Sequence, residues 1–258
     1  MLQKVTYNLL CTGAGSLSGH AGSELHALLF QVIRSVDKSY ADYLHALDLK
    51  PFALGPLKGS STFKDGYLTT EKDRSYSFTL ATLNQEMTEH LPAIEKCLQN
   101  DELRLGGSSF TLEETKKLFK KPLPYFKLMA ANESKGDLYV SFNSPTCFRR
   151  DGKLHLFPLP ELMLPGLVKR WEHFSGLILP TLKPEKILVS QYDLKTRMVK
   201  FSKYNMVGFK GRCMYSFISG TPDIDRWALA VLFNYASLAS VGYKTTMGMG
   251  QVRVNIGR

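Results

Sequence analysis

Val5, Tyr7 and Leu9 alternate with Lys4, Thr6 and Asn8, the two-residue period of a strand with one buried face. After a loop carrying Gly13, Gly15 and Gly19, Ser23 is placed to cap a helix whose apolar face is Leu25, Leu28, Leu29, Val32 and Ile33. A second short helix, Tyr40–Leu47, ends ahead of Pro51. Strands are predicted at Phe52–Leu57 and Arg74–Leu80, a helix over Asn84–Leu98, and a strand region over Glu102–Leu118 that turns at Gly106-Gly107. The second half predicts the same order. A strand at Asp137–Phe142 precedes a helix over Leu159–Phe174, whose period (Leu162, Leu164, Leu167, Val168, Trp171) survives Pro165. Strands follow at Lys186–Tyr192 and Met198–Phe201, flanking Asp193–Arg197, and at Cys213–Ile218. Thr221-Pro222 opens a strong helix, with Thr as cap, Pro in the first turn, and Asp223 and Asp225 at the positive end of the dipole. Gln251–Asn255 closes the chain as a strand. Two βαββαβ units in tandem predict an α+β fold of two ferredoxin-like (RRM-like) domains, 1–130 and 131–258, joined near Ala130–Gly136. Only the order of elements repeats; no residue-level similarity between the halves is visible.

The 258 residues suffice for one large or two compact domains with buried cores, and 44% apolar with 22% charged residues argues against a disordered chain. Thirty-three basic against 23 acidic residues leave +10 at pH 7, which points to a polyanionic partner, nucleic acid or an acidic membrane surface. Cys11, Cys97, Cys147 and Cys213 are scattered with no C-x-x-C pair, which argues against a structural zinc site and a disulfide framework. Met1–Leu10 has no basic segment ahead of a long apolar run, and no stretch reaches the roughly 18 apolar residues of a membrane span. A soluble protein of a reducing compartment, with no membrane partner, is the expectation.

The most specific local feature is Gly242-Tyr243-Lys244-Thr245-Thr246-Met247-Gly248-Met249-Gly250, between the Trp227–Leu238 helix and the last strand. It is not a Walker loop, because Tyr243 separates Gly242 from Lys244, nor a dinucleotide fingerprint, because it follows a helix. A tight helix-to-strand turn needs one glycine. Three, with an embedded lysine, favour backbone N–H groups approaching phosphate, which makes Gly242, Lys244, Thr245, Gly248 and Gly250 candidate RNA contacts. Further cations are Arg149, Arg150, Lys195, Arg197, Lys200, Lys203, Lys210 and Arg212, interleaved with Phe148, Tyr192, Phe201, Tyr204 and Phe209. That mixture suits RNA, where phosphates need charge and splayed bases need rings. For any single one of these residues, a solvated strand face or a core ring is the stronger reading.

None of the six histidines sits in a metal-ligand spacing with carboxylate or cysteine company; His20 and His26 are six apart across a loop-to-helix junction. No G-x-S-x-G elbow is present. His45 precedes Lys50 at a proline-marked helix-to-strand transition. Metal-free RNA cleavage needs such a pair: imidazole to move a proton while the 2′-hydroxyl attacks, and a cation for the phosphorane. By position alone, a helix-end histidine facing the C-terminal dipole is the competing reading.

Four segments carry a family resemblance: Leu25–Leu29 with Tyr43-Leu44-His45 and Lys50–Leu57; Ser144–Arg149 ahead of Pro158-Leu159-Pro160; Val207–Arg212; and the terminal glycine loop. In their order and spacing the chain resembles the CRISPR-associated endoribonucleases that cut precursor CRISPR RNA within its repeats. The resemblance implies tandem ferredoxin-like domains, no cofactor, metal-independent cleavage to a 2′,3′-cyclic phosphate and a 5′-hydroxyl, and a prokaryotic cytoplasmic setting. CRISPR repeat RNA is the implied partner, with a CRISPR effector complex and a homodimer open as further ones. It places His45 as general acid/base and Lys50 as the charge-stabilising lysine. Where some members carry a tyrosine in the first helix this chain has Phe30, and Ala53 and Gly55 replace the Thr and Ser of the family's "PfT-x-S" pattern; His26 is the first substitute for the missing polar group. Two other readings stay open, a non-catalytic repeat-RNA-binding subunit and a basic ferredoxin-like RNA-binding protein outside CRISPR biology.

Overall fold

The computed structural model describes residues 1–64, 66–130, 136–180, 183–201 and 204–257. Gln3–Gly13 buries alternate residues, as its period requires, and pairs antiparallel with Ser75–Thr82 on one side and Ser108–Lys117 on the other. Phe52–Leu54 extends the first edge and Leu103–Leu105 the second. In the second sheet the order is Ile187–Lys200, Asn205–Phe217, Leu138–Thr146, Val252–Ile256, again all antiparallel. Each sheet is crossed by two helices, Gly22–Val36 and Leu91–Asn100 in one, Pro160–Ser175 and Asp223–Ala239 in the other. This is the α+β tandem ferredoxin-like fold that the alternating element order predicts.

Each sheet has its own core. Leu25, Leu28, Leu29 and Ile33 pack with Tyr7, Leu9, Phe78 and Leu80 in the first. The second is built on Trp171, with Tyr125 and Tyr235 edge-on to it at 5.0 and 5.4 Å. At roughly 1.5–3 kcal/mol for each large apolar side chain fully buried, these faces supply the main driving force for both sheets.

Several local expectations change. Lys186–Tyr192 and Met198–Phe201 are one strand, Ile187–Lys200; its middle is exposed and polar, and pairing with Asn205–Phe217 carries it through. Ala21, with φ 60°, occupies the N-cap of the first helix in place of Ser23, whose hydroxyl bonds the Glu24 carboxylate at 2.8 Å. Pro222 occupies the cap of the last helix, because the Thr221 hydroxyl turns back to the Ile218 carbonyl at 2.6 Å. Asn84–Leu98 divides at His90 into Gln85–Glu89 and Leu91–Asn100, the second starting with Pro92 in its first turn, where a missing N–H costs nothing. Phe52–Leu57 stops at Leu54, and Lys58–Gly59 resumes pairing with Ser75–Thr82. Residues 131–135, where the linker was expected, and Lys203 lie outside the described residues. Among the described residues no helix is long and apolar enough to cross a membrane.

The two halves are tied by specific contacts. Leu2 and Leu83 are buried in the core of the second sheet, and the Tyr125 hydroxyl donates to the Leu83 carbonyl at 2.7 Å. Gln251 Nε2 donates to Thr79 Oγ1 at 2.8 Å, across the space a β-carbon on Gly55 would invade. A small cluster of Cys147, Val199, Phe201, Met206 and Met249 seals the junction, with His20 edge-on to Phe201 at 6.1 Å.

Lys4 Nζ crosses the same junction, donating to the Ser237 carbonyl at 2.8 Å. Burial, reinforced by the Lys58 charge, pulls its pKa down from 10.5 to about 8. Between those values the unfolded chain holds the extra proton, so the contribution of Lys4 to stability rises with pH across the window. In urea titrations the stability difference between wild type and Lys4→Met is expected to shift toward wild type from pH 8 to 10.5; a difference independent of pH would refute this desolvation.

Candidate active site and nucleic-acid interface

Asp37 starts the Lys38–Ala46 helix by accepting the Tyr40 N–H at 2.9 Å. The helix buries Tyr40, Ala41 and Leu44 and leaves His45 exposed in its last turn. Lys50 folds back onto that end, donating to the carbonyls of His45 at 3.0 Å and of Leu47. A cation thus satisfies the orphan carbonyls at the negative end of the helix. Burial draws the Lys50 pKa below the ordinary lysine value, with Asp48 opposing. Phe30 of the first helix stands between two imidazoles, its ring centre 5.9 Å from that of His45 and 4.8 Å from that of His26.

His26 reaches across to the glycine loop, its Nδ1 3.0 Å from the Thr246 carbonyl. A carbonyl only accepts, so Nδ1 carries the proton. Burial pulls the His26 pKa down; the Thr246 carbonyl opposes, and the charges of Lys50, His45 and Lys244 reinforce it. His26, His45, Lys50 and the loop therefore share one electrostatic neighbourhood. His20 plays a different part: burial holds it near 4, and its ring lies against Gly248.

The loop itself is more constrained than its sequence suggests. Gly242, Gly248 and Gly250 all have φ between 73° and 79°, and Lys244 is left-handed at 57°. Gly250 is buried, and its N–H already donates to the Pro145 carbonyl at 3.0 Å. Gly248 is buried against His20 and Pro56. The turn therefore uses all three glycines, where one was expected to suffice, and the Gly250 N–H is not free for phosphate. Lys244 holds its ammonium 5.2–5.3 Å from the ring centres of Phe201, Tyr204 and Tyr243.

A cleft of about 810 Å³ opens between this loop, the Pro160–Ser175 helix, the Phe148–Arg150 strand and Asp48–Lys50. Lys50, Arg149, Arg150, Lys169, Arg170 and Lys244 line it, against the acids Asp48 and Glu161. The other predicted cations among the described residues are not brought here. Lys195, Arg197, Lys210 and Arg212 line a separate groove of about 400 Å³ on the second sheet, so the basic residues form two surfaces where one cluster was expected.

Sequence reading missed two residues that seat the loop. Arg170 donates from Nη1 to Thr245 Oγ1 at 2.9 Å and from Nη2 to the carbonyls of Ser240, at 2.6 Å, and Ala239. It locks the helix end to the loop, and on a predicted helix it carried no signal beyond its charge. Gly22 opens the first helix with the Met247 carbonyl pressed onto it: a β-carbon there would stand 1.8 Å from that oxygen.

Residues 140–252 match the model of the CRISPR-associated endoribonuclease Cas6 family. The chain is 23% identical over 245 residues to the CRISPR-associated endoribonuclease Cas6 of Mycobacterium tuberculosis, spanning 90% of this chain and 71% of that one. Its counterpart in Streptococcus thermophilus is 20% identical over 231 residues, 86% of this chain and 88% of the other. Among solved structures, Thermus thermophilus Cas6 superposes with a TM-score of 0.72 at 21% identity, covering 99% of this chain and 98% of that one. A Cas6 product complex reaches 0.80 at 24%, covering 99% and 100%. The resemblance to the CRISPR-associated endoribonuclease family stands. The segment matching the Cas6 model holds the whole glycine loop and most of the second sheet, short of its last strand; His26, His45 and Lys50 lie outside it.

The contact at Gly22 gives a test of how the loop is seated. Alanine in a helix is favoured over glycine by about 1 kcal/mol, but overpacking costs roughly 1–3 kcal/mol and wins at a 1.8 Å approach. Gly22→Ala is expected to lower the urea midpoint and to remove the protected His26 Nδ1–H signal from proton NMR spectra. A stabilised variant that keeps that signal would show that the loop is free to shift.

Proposed function

We propose that the protein is a metal-independent endoribonuclease that cuts precursor CRISPR RNA within its repeats, in a prokaryotic cytoplasm, leaving a 2′,3′-cyclic phosphate and a 5′-hydroxyl. The observation that carries this reading is the meeting of His45, Lys50 and His26 beside the 242–250 loop, with Lys50 and that loop lining a cationic cleft. The relatives support it: solved Cas6 proteins are described as product and substrate-mimic complexes, and one neighbour as a RAMP protein binding different RNA substrates.

RNA carries its own nucleophile, so the protein has to align the 2′-hydroxyl, move protons and hold charge. His45, exposed on a rigid helix end, can exchange a proton with the scissile group. Lys50 is close by, and swinging from the helix carbonyls toward the phosphate lets its ammonium meet the charge that grows in the phosphorane. Arg149, Arg150 and Lys244 hold phosphates along the cleft, and Lys195, Arg197, Lys210 and Arg212 offer a second stretch for the backbone. A purely scaffolding subunit has no need of two imidazoles and a lysine gathered beside such a cleft.

In EDTA, wild type is expected to cut repeat RNA, and His45→Ala to cut it about 10²–10⁴-fold more slowly with affinity nearly unchanged. A 2′-deoxy substitution at the scissile nucleotide removes the nucleophile and should abolish cutting. Cleavage of the deoxy RNA, or a requirement for Mg²⁺, would overturn the mechanism.

Lys244→Ala tests the loop by charge without disturbing the glycines. Loss of one phosphate contact reduces the salt slope of RNA binding by about one. An unchanged slope would confine Lys244 to its aromatic neighbours.

A further inference from the structure

We infer that the rings of Tyr204 and Tyr243 form a stacking platform for two unpaired nucleotides, with Lys244 set between them for the linking phosphate. The inference rests on the proposed reading for the identity of the RNA, and it names the form that RNA takes here: single-stranded, with its bases splayed. Of the rings that the sequence interleaves with cations, Phe148, Phe201 and Phe209 are buried. Tyr192 is exposed but leans edge-on against Phe157, and among the described residues no cation stands over its ring.

Tyr204 differs. Its ring lies on buried Phe201, centres 5.1 Å apart and planes 24° from parallel, and 44% of the residue stays exposed. Lys244 Nζ stands 5.2 Å from the centre of Tyr204 and 5.3 Å from that of Phe201. A point equally far from two stacked rings lies beside the stack, so neither Phe201 nor the ammonium covers the outer face of Tyr204. Phe201 holds the ring from below, which lowers the ordering cost when a base arrives. The same ammonium is 5.2 Å from the centre of half-buried Tyr243. Beyond it the Arg149 guanidinium lies 5.6 Å from that ring and donates to its hydroxyl at 3.4 Å. Guanidinium planes stack on bases as rings do. Tyr204, Lys244, Tyr243 and Arg149 thus alternate ring and cation, as a single strand alternates base and phosphate. A duplex keeps its base faces inside the stack, and an acidic protein would engage the cations and leave the rings unused.

Binding to repeat RNA carrying an abasic site, walked one nucleotide at a time, tests this in His45→Ala protein, which keeps the RNA intact. On the complete repeat, Tyr204→Leu and Tyr243→Leu are each expected to bind about 5–150-fold more weakly, the equivalent of ~1–3 kcal/mol for one stacked base. Phenylalanine at either position stacks equally well and should stay within about threefold of tyrosine. The salt slope should not change, and for each leucine variant one abasic position should erase the loss. Leucine variants that bind like tyrosine, a loss that persists at every abasic position, or a slope reduced by about one through a displaced cation would overturn the platform. Failure of the endoribonuclease reading shows differently, as wild type that binds this RNA and leaves it uncut.

Discussion

The left-handed backbone of the 242–250 loop sets how closely the two halves of the protein approach. Gly242, Lys244, Gly248 and Gly250 all sit at positive φ, and the chain coils tightly enough for the carbonyls of Thr246 and Met247 to project toward the first helix. One of those carbonyls lands on His26, the other on the bare α-carbon of Gly22. A side chain at Gly22 or Gly248 would press the loop away from the first half, and with it the hydrogen bond of the His26 ring, and one at Gly250 would break the loop's own closure onto Val241. Lys244 accepts the left-handed region without glycine's freedom, a cost of about 1–3 kcal/mol that persists only where surrounding contacts over-determine the backbone. Three rings around its ammonium, and Arg170 forked between Thr245 and the preceding helix end, supply those contacts.

Electrostatics shows the same preference for a site over stability. Lys195 and Lys210 lie directly opposite each other across two strands, a like-charge pair that destabilises the sheet. Burial lowers the pKa values of Lys58 and Lys4 first, and the charge of Lys210 adds to the shift of Lys58, as that of Lys58 does to the shift of Lys4. Such a row of mutually repelling cations is strained in the free protein and relieved by a polyanion, where released counterions add to the gain. The cleft beside His45 follows the same pattern, six cations against two acids. Ten of the 33 basic residues thus line two surfaces, against three acids.

The architecture was legible where the chain obeys period rules: Val5, Tyr7 and Leu9 alternate, and Leu25, Leu28, Leu29, Val32 and Ile33 hold a helical stripe. What failed was local. The middle of Ile187–Lys200 is stabilised by its partner strand and not by its own burial, so its polar residues gave no strand signal. Ser23 and Thr221 have the right chemistry for caps but found closer partners in Glu24 and Ile218. In the site, His45 and Lys50 were readable as a close pair at a helix end. The roles of Gly22 and Arg170 were not, because both depend on where a loop more than 200 residues from Gly22 comes to rest.

That distance explains why the site sits at the junction. His26, Phe30, His45 and Lys50 all come from the first 50 residues, the first three on two helices packed against one core, so the backbone that carries them is set independently of the loop. The loop comes from the other end of the chain and carries the contacts suited to RNA. A ligand that grips the loop therefore bears on His26 through a single carbonyl, without rearranging the helices. Rigid chemistry on one side and an anion-facing loop on the other make catalysis depend on correct docking, because misplacing a reacting group by about 1 Å can cost about 10²-fold in rate. On the proposed reading, selectivity for the right RNA and speed of the chemical step are set by the same contact.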